Sequence, residues 1–360
     1  MAKAKQIAKL NCQDAAAKVI QQVLLARMKK MCALRDRALD WNDPEGVHAM
    51  RVASRRLRSA LGDFKPYLRK GSIPISRLKA IAKSLGAVRD EDVILLALAE
   101  LRSKAGEKVG PGIEAIAEEH DRQRRQARSI LAHTIRPSAI AELRDDFWTE
   151  IRTATKIPSG PAREKGAGRV LTFGQVGAEV VGDRLKQLSE AGDSVYRPLQ
   201  TKQLHKLRIL AKRLRYAVEL FAPCWGEEFE KAAAEIARFQ TSLGELHDCD
   251  VWIVNLGARL KKDALAAGAG LDPWRNNEAV VWLLDHFVSD RTKHYRDALA
   301  LWHKWETEGF LNRLRAMLDA GVTPQAALPK GPNGTDSNSI SARPNQSRPK
   351  LPSFSQNKSA

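Results

Sequence analysis

Apolar residues recur at intervals of three and four along almost the whole chain, and strict alternation bounded by turn signals is nearly absent. This rhythm predicts amphipathic helices over about residues 12–39, 44–68, 75–103 with a break near Gly86, 111–133 and 138–154. A second set is expected over about 171–190, 201–222, 227–263 with a break near Gly244, 275–304 and 306–320. Between the sets, residues 157–169 carry the proline and glycine of a connector. Residues 323–360 are rich in Pro, Ser and Asn and poor in large apolar side chains, so a disordered tail is expected there. The predicted class is all-α, in two helical halves spanning 10–156 and 170–322.

The two halves resemble each other. Val47-His48-Ala-Met-Arg51-Val-Ala-Ser-Arg55-Arg56-Leu57-Arg58 aligns with Leu204-His205-Lys-Leu-Arg208-Ile-Leu-Ala-Lys212-Arg213-Leu214-Arg215, with His48 and His205 standing 157 residues apart. Phe64 and Pro66 match Phe221 and Pro223 in the same register. After one inserted residue, Ser84-Leu85-Gly86-Ala-Val-Arg89-Asp90-Glu-Asp92-Val93 matches Ser242-Leu243-Gly244-Glu-Leu-His247-Asp248-Cys-Asp250-Val251. Two ordered blocks at nearly constant offset imply a duplicated helical unit and a pseudo-twofold pair of bundles.

At ~100° per residue, Arg51, Arg55 and Arg58 stay within roughly a quarter-turn of His48, and Met50, Ala53, Leu57, Ala60, Leu61 and Phe64 take the opposite side. His205, Arg208, Lys212 and Arg215 repeat the stripe, with Leu207, Leu210, Leu214, Ala217, Val218 and Phe221 behind it. Arg56 and Arg213 lie off the stripe, on the far side of the histidine from Arg51. Asp43-Pro44-Glu45 reads as the cap and first turn of the first helix, and Thr201 as a cap candidate for the second. A solvated helix face usually interleaves acids for support, yet no Asp or Glu occurs from Gly46 to Gly62 or from Thr201 to Val218. Arginine forks, a lysine point charge and histidine donors suit phosphate oxygens.

Charge widens this picture. With 60 Lys+Arg against 42 Asp+Glu in 360 residues, the formal net charge is +18, which favours polyanionic partners. No apolar run approaches the ~18 residues of a membrane span. The basic N-terminus lacks a secretory pattern, and Cys12, Cys32, Cys224 and Cys249 are scattered without a disulfide framework. A cytoplasmic, reducing location is therefore expected. Further basic residues, Arg122, Arg124, Arg125 and Arg128 in one half and Arg291, Lys293, His294 and Arg296 in the other, form a candidate secondary cationic surface beside several acids. In the second repeated block, Asp90 and Asp248 read as caps after a glycine break or as braces for the stripe arginines. His247, Asp248 and Asp250 alternatively suit a metal-dependent phosphatase, although Arg89 stands where His247 does and cannot ligate a metal.

The pairs His48-x-x-Arg51-x-x-x-Arg55-Arg56-x-Arg58 and His205-x-x-Arg208-x-x-x-Lys212-Arg213-x-Arg215, with their Leu-Gly-x-x-[Arg/His]-Asp blocks, resemble the CHAD domain, the conserved histidine α-helical domain, over about residues 10–320. The resemblance implies two antiparallel four-helix bundles about a pseudo-twofold axis and a basic channel that binds inorganic polyphosphate. Location on polyphosphate granules is a further implication. It points to His48, Arg51, Arg55, Arg58, His205, Arg208, Lys212 and Arg215 as binding residues, with Arg56 and Arg213 beside them. Members often accompany a triphosphate-tunnel domain of the CYTH type, and no stretch of this chain reads as its acidic barrel. A non-catalytic binder without cofactor or metal is thus expected, with other phosphate polyanions as secondary partners. General RNA binding is the rival within the binding class. Single-stranded bases need aromatic platforms, and only Tyr216 is interleaved in the stripes.

Overall fold

The computed structural model describes residues 10–155, 171–266 and 277–321, except 44, 70 and 72; the predicted connector and tail lie outside these residues. Eleven α-helices are described: α1 (Ala16–Cys32), α2 (Arg35–Leu39), α3 (Gly46–Phe64), α4 (Ile75–Lys104), α5 (Gly110–Thr134) and α6 (Pro137–Ala154) come first. They are followed by α7 (Phe173–Glu190), α8 (Thr201–Trp225), α9 (Glu227–Ala266), α10 (Glu278–Thr307) and α11 (Phe310–Asp319). Short 3₁₀ turns cover Lys65–Tyr67 and Gly192–Tyr196, and among the described residues the β pairing is one bridge between Ala15 and Thr172.

The all-α prediction holds, with three local corrections. The first predicted helix is two, because the chain turns at Ala33 and Leu34 before α2. Helices α4 and α9 run unbroken through Gly86 and Gly244. A helical glycine costs about 1 kcal/mol relative to alanine, and the burial of Leu85 and Val88 beside one and Leu243 and Leu246 beside the other outweighs it. Likewise α8 continues past Pro223, where Cys224 and Trp225 are buried, and stops at Gly226 with φ 76°. Capping also departs from expectation. The residue before α3 is Glu45, whose N–H donates to the Asp43 carboxylate at 3.0 Å, and Thr201 is already the first residue of α8. By contrast α7 starts with a reciprocal box, Thr172 Oγ1 accepting from Gln175 N–H and Gln175 Oε1 accepting from Thr172 N–H.

Neighbour relations repeat between the halves. Helix α1 packs on α3 and α6, and α7 packs on α8 and α11; α4 joins α3 to α5, and α9 joins α8 to α10. The halves nevertheless share one core, to which all eleven helices contribute. Phe64 of the first half meets Phe173 and Phe221 of the second at ring-centroid distances of 6.2 and 6.1 Å. Cys12 is bonded to Cys224, one disulfide among scattered cysteines whose spacing did not announce it. Its cause is tertiary: the N-terminal segment returns beside the end of α8, a proximity that no local spacing of cysteines announces. A second, smaller core gathers the far ends of α4, α5, α9 and α10 around Leu98, Ile113, Leu256 and Leu283. The long helices α4 and α9 therefore pass from one core to the other, and the site lies where they do.

Candidate functional site

Helices α3 and α8 pack against each other, and both are amphipathic as predicted. Met50, Leu57, Phe64, Leu207, Leu214 and Phe221 are buried behind them. In front, His48, Arg51, Arg55, His205, Arg208 and Lys212 are half-buried and Arg58 is exposed. The two stripes converge. Lys212 of α8 lies close enough to Arg208, Arg55, Arg58 and Arg213 to feel all four charges, and burial with these cations pushes its ammonium down to about 8 from an ordinary 10.5. Burial, then Tyr216 and the neighbouring Arg51, Arg215 and Arg208, act on Arg55, whose net shift is downward. Its guanidinium lies 5.7 Å from the Tyr216 ring. Buried nitrogens without a hydrogen-bond partner include His48 Nδ1, Arg55 Nε and Arg208 Nε. Unsatisfied polar groups of this kind cost free energy in a folded protein.

The charged form of each histidine is disfavoured. Burial first, then Arg89, Arg55 and Arg51 against Glu45, push His48 below its ordinary range. Burial, Arg208 and Lys212 do the same to His205. His205 Nδ1 lies 3.2 Å from His247 Nδ1, with ring centroids 4.1 Å apart. Burial and the His205 ring push His247 down to about 4. In the first half Arg89 is the corresponding neighbour of His48. Arg89 and His247 are therefore members of the cluster that the helix stripes alone did not name, although the aligned second blocks pair them.

Two of the ten residues picked from the stripes, Arg56 and Arg215, are tied to one partly buried carboxylate, Glu219. Arg215 is only 8% exposed, and its Nε donates to Glu219 at 2.7 Å while a second nitrogen donates to Gln240 at 3.0 Å. Arg56 reaches the same Glu219 at 3.5 Å. Glu219 stands one residue beyond the acid-free stretch of α8, where i+4 geometry brings it onto Arg215. Arg213 is exposed, next to Lys212 along α8 and near enough to Asp63 to act on its carboxylate.

Because α4 and α9 are continuous, neither Asp90 nor Asp248 caps a helix, so that alternative is corrected. Asp90 instead braces Arg51 at 3.3 Å. Asp248, recessed in the groove although its side chain still meets water, has its carboxyl pushed up by burial despite Arg208 nearby. The second aspartate of each block faces the next helix: Asp92 lies 3.8 Å from Arg124 and Asp250 lies 2.6 Å from Arg291. His247, Asp248 and Asp250 thus point to three different partners. Among the described residues no group of three His, Cys, Asp or Glu side chains is arranged to hold a metal ion.

The secondary cationic surface is largely neutralised in place. Arg124 and Arg125 pair with Asp121, Arg291 also donates to the Pro198 carbonyl at 2.7 Å, and His294 lies 3.1 Å from Glu245. Arg122 and Lys293 are exposed. The five cations Arg51, Arg55, Arg58, Arg208 and Lys212 remain as the dense positive feature, with Asp90 as the one carboxylate paired to any of them among the described residues.

The family description "CHAD domain" matches residues 22–257, well over half of the chain and including both stripes. The chain is a member of the CHAD family. A crystal structure of the CHAD domain from the plant Ricinus communis is similar over 90% of this chain and 99% of its own, at 20% identity and a TM-score of 0.63. PptA from Streptomyces chartreusis is similar over 81% of this chain and all of its own, at 16% identity and a TM-score of 0.53. At these identities both likenesses establish the shared helical fold. No curated protein matches. Among the described residues of this CHAD chain, no helix is long and apolar enough to cross a membrane.

Proposed function

We propose that this CHAD chain binds inorganic polyphosphate in the groove between α3 and α8, without transforming it. The observation that carries the reading is the convergence of Arg51, Arg55 and Arg58 with Arg208 and Lys212, two separate helices bringing cations together at a cost to the ionised state of Lys212. Such a cluster is electrostatically unfavourable unless a polyanion neutralises it. Arginine forks grip successive phosphoryl oxygens through charge-assisted hydrogen bonds, Lys212 adds a point charge, and His48 and His205 offer donors that strengthen as they gain protons. A linear polymer with a negative charge on every unit matches a row of cations better than a single phosphate. The same grip would hold the protein on polyphosphate granules.

Titration calorimetry with medium-chain polyphosphate at two salt concentrations tests the reading. By analogy with single-stranded nucleic acid, where log K falls by about 0.7 per neutralised phosphate with log salt, the five groove cations give a slope of about −3.5. Replacing Arg51, Arg58 and Arg208 together by Gln abolishes binding while the helical circular dichroism is retained; Arg215 stays intact because it belongs to the Glu219 network. Wild-type affinity in this variant would refute the groove assignment. Competition with single-stranded RNA at equal salt separates the polyphosphate reading from a nucleic-acid one.

A further inference from the structure

At the inner end of the groove, α4, α5 and α9 enclose a cavity of about 740 Å³ whose lining includes Arg51 and Arg208. Its size falls within the roughly 300–1,000 Å³ of small-molecule sites. The lining changes character along its length. Next to the two arginines are Asp90 and Asp248; beyond them come apolar walls with Val93, Ile94, Val251 and Trp252; Glu119, His120, Asn255 and Arg259 are polar groups of the same lining. Val93 and Val251 occupy matching places in the aligned blocks and are 43% and 45% exposed. Apolar surface left open on both sides of a cavity gives nothing to a bare phosphate chain.

We propose that this cavity is a second binding site, for a nucleoside di- or triphosphate. The phosphates reach Arg51 and Arg208, both in the cavity lining. The ribose hydroxyls donate to Asp90 and Asp248, acceptors that would repel a longer phosphate chain entering the cavity. The base lies between the valine walls and Trp252. That ring is pre-set, stacked on Phe287 at a centroid distance of 4.6 Å and an interplanar angle of 10°. His120, another ring of the lining, is fixed by Glu91 at 2.7 Å. A lipid tail would need an apolar sleeve throughout, whereas Glu119, Asn255 and the Arg259 that pairs with Glu119 at 2.8 Å offer the hydrogen-bonding edge a base requires. The site shares two arginines with the polyphosphate groove but stands on its walls, so it holds or falls separately.

The test compares ATP, tripolyphosphate and long-chain polyphosphate on the full chain at one ionic strength without divalent cations. ATP is expected to bind at least tenfold tighter than tripolyphosphate, since base stacking contributes on this scale. Making the walls polar with Val93→Gln or Val251→Gln, at positions partly open to water, removes that advantage and leaves tripolyphosphate unchanged. ATP no tighter than tripolyphosphate in the wild type, or unaffected by both wall variants, overturns the proposal while leaving the polyphosphate groove standing. ATP binding with no response to long-chain polyphosphate supports the cavity and removes the groove reading instead.

Discussion

Replacing Lys212 by Met should stabilise the protein and weaken its grip on polyanions. Lys212 carries its charge among Arg208, Arg55, Arg58 and Arg213, and its pKa of about 8 against an ordinary 10.5 means that the fold disfavours the ammonium. The difference is worth about 3 kcal/mol by linkage. Because the side chain keeps partial contact with water, about 2 kcal/mol is the better expectation. Below pH 8 the lysine is ionised in both folded and unfolded chains, so the wild type bears the full cost. Between pH 8 and 10.5 the folded form releases its proton while the unfolded form keeps it, and wild-type stability rises relative to the variant. Methionine preserves most of the apolar stem, so packing is a small part of the difference. Thermal unfolding at pH 7 should show the variant melting about 3 °C higher, an advantage that fades by pH 10. Saturating polyphosphate should reverse the order, since it neutralises the charge that Met no longer supplies. A variant no more stable than wild type at pH 7, or one whose advantage is independent of pH, would refute the cation cluster.

Other substitutions probe the supports of the groove. Glu219→Ala leaves Arg215 and Arg56 without their shared carboxylate and should cost about 2 to 3 kcal/mol in denaturant unfolding, somewhat below a fully buried pair; a neutral result would show that Gln240 alone satisfies Arg215. Asp90→Asn frees Arg51 from its 3.3 Å partner and removes a negative charge from the groove, raising polyphosphate affinity about threefold; calorimetry showing weaker binding would mean that Asp90 orients Arg51 rather than restraining it. Thiol titration of the native, unreduced protein should show little reaction, since burial pushes Cys32 up to about 11 and Cys249 up to about 12. Two thiols should appear on unfolding and four after reduction, whereas four without reduction would remove the Cys12–Cys224 bond.

Local periodicity made the helices and both cationic stripes legible, because 3.6-residue spacing separates Leu57 from Arg58 and Leu214 from Lys212 whatever the tertiary context. What lay beyond it was set by contacts between distant segments. Arg215 resembled a free cation because its acid, Glu219, falls just outside the repeated block and its second partner, Gln240, comes from another helix. Gly86 and Gly244 suggested breaks, yet burial on either side of each carries the helix through. The proximity of Cys12 to Cys224, and of Val93 and Val251 to one cavity, depends on how long helices cross, which a one-dimensional pattern does not encode.

The shared core has a consequence for how the protein is made. Phe64 reaches its place only against Phe173 and Phe221, and the cations of α3 meet those of α8 only when the later helix exists. Lys212 leaves the ribosome about 150 residues after Arg58, on the order of ten seconds later at ordinary translation rates. During that interval a nascent chain displays a basic helix whose apolar back is incompletely covered, next to ribosomal RNA. Contacts this distant along the chain also delay folding once synthesis ends. An abundant polyanion that favours the assembled groove would then act during biogenesis as a folding ligand, drawing the two halves together before the emerging helix is captured elsewhere.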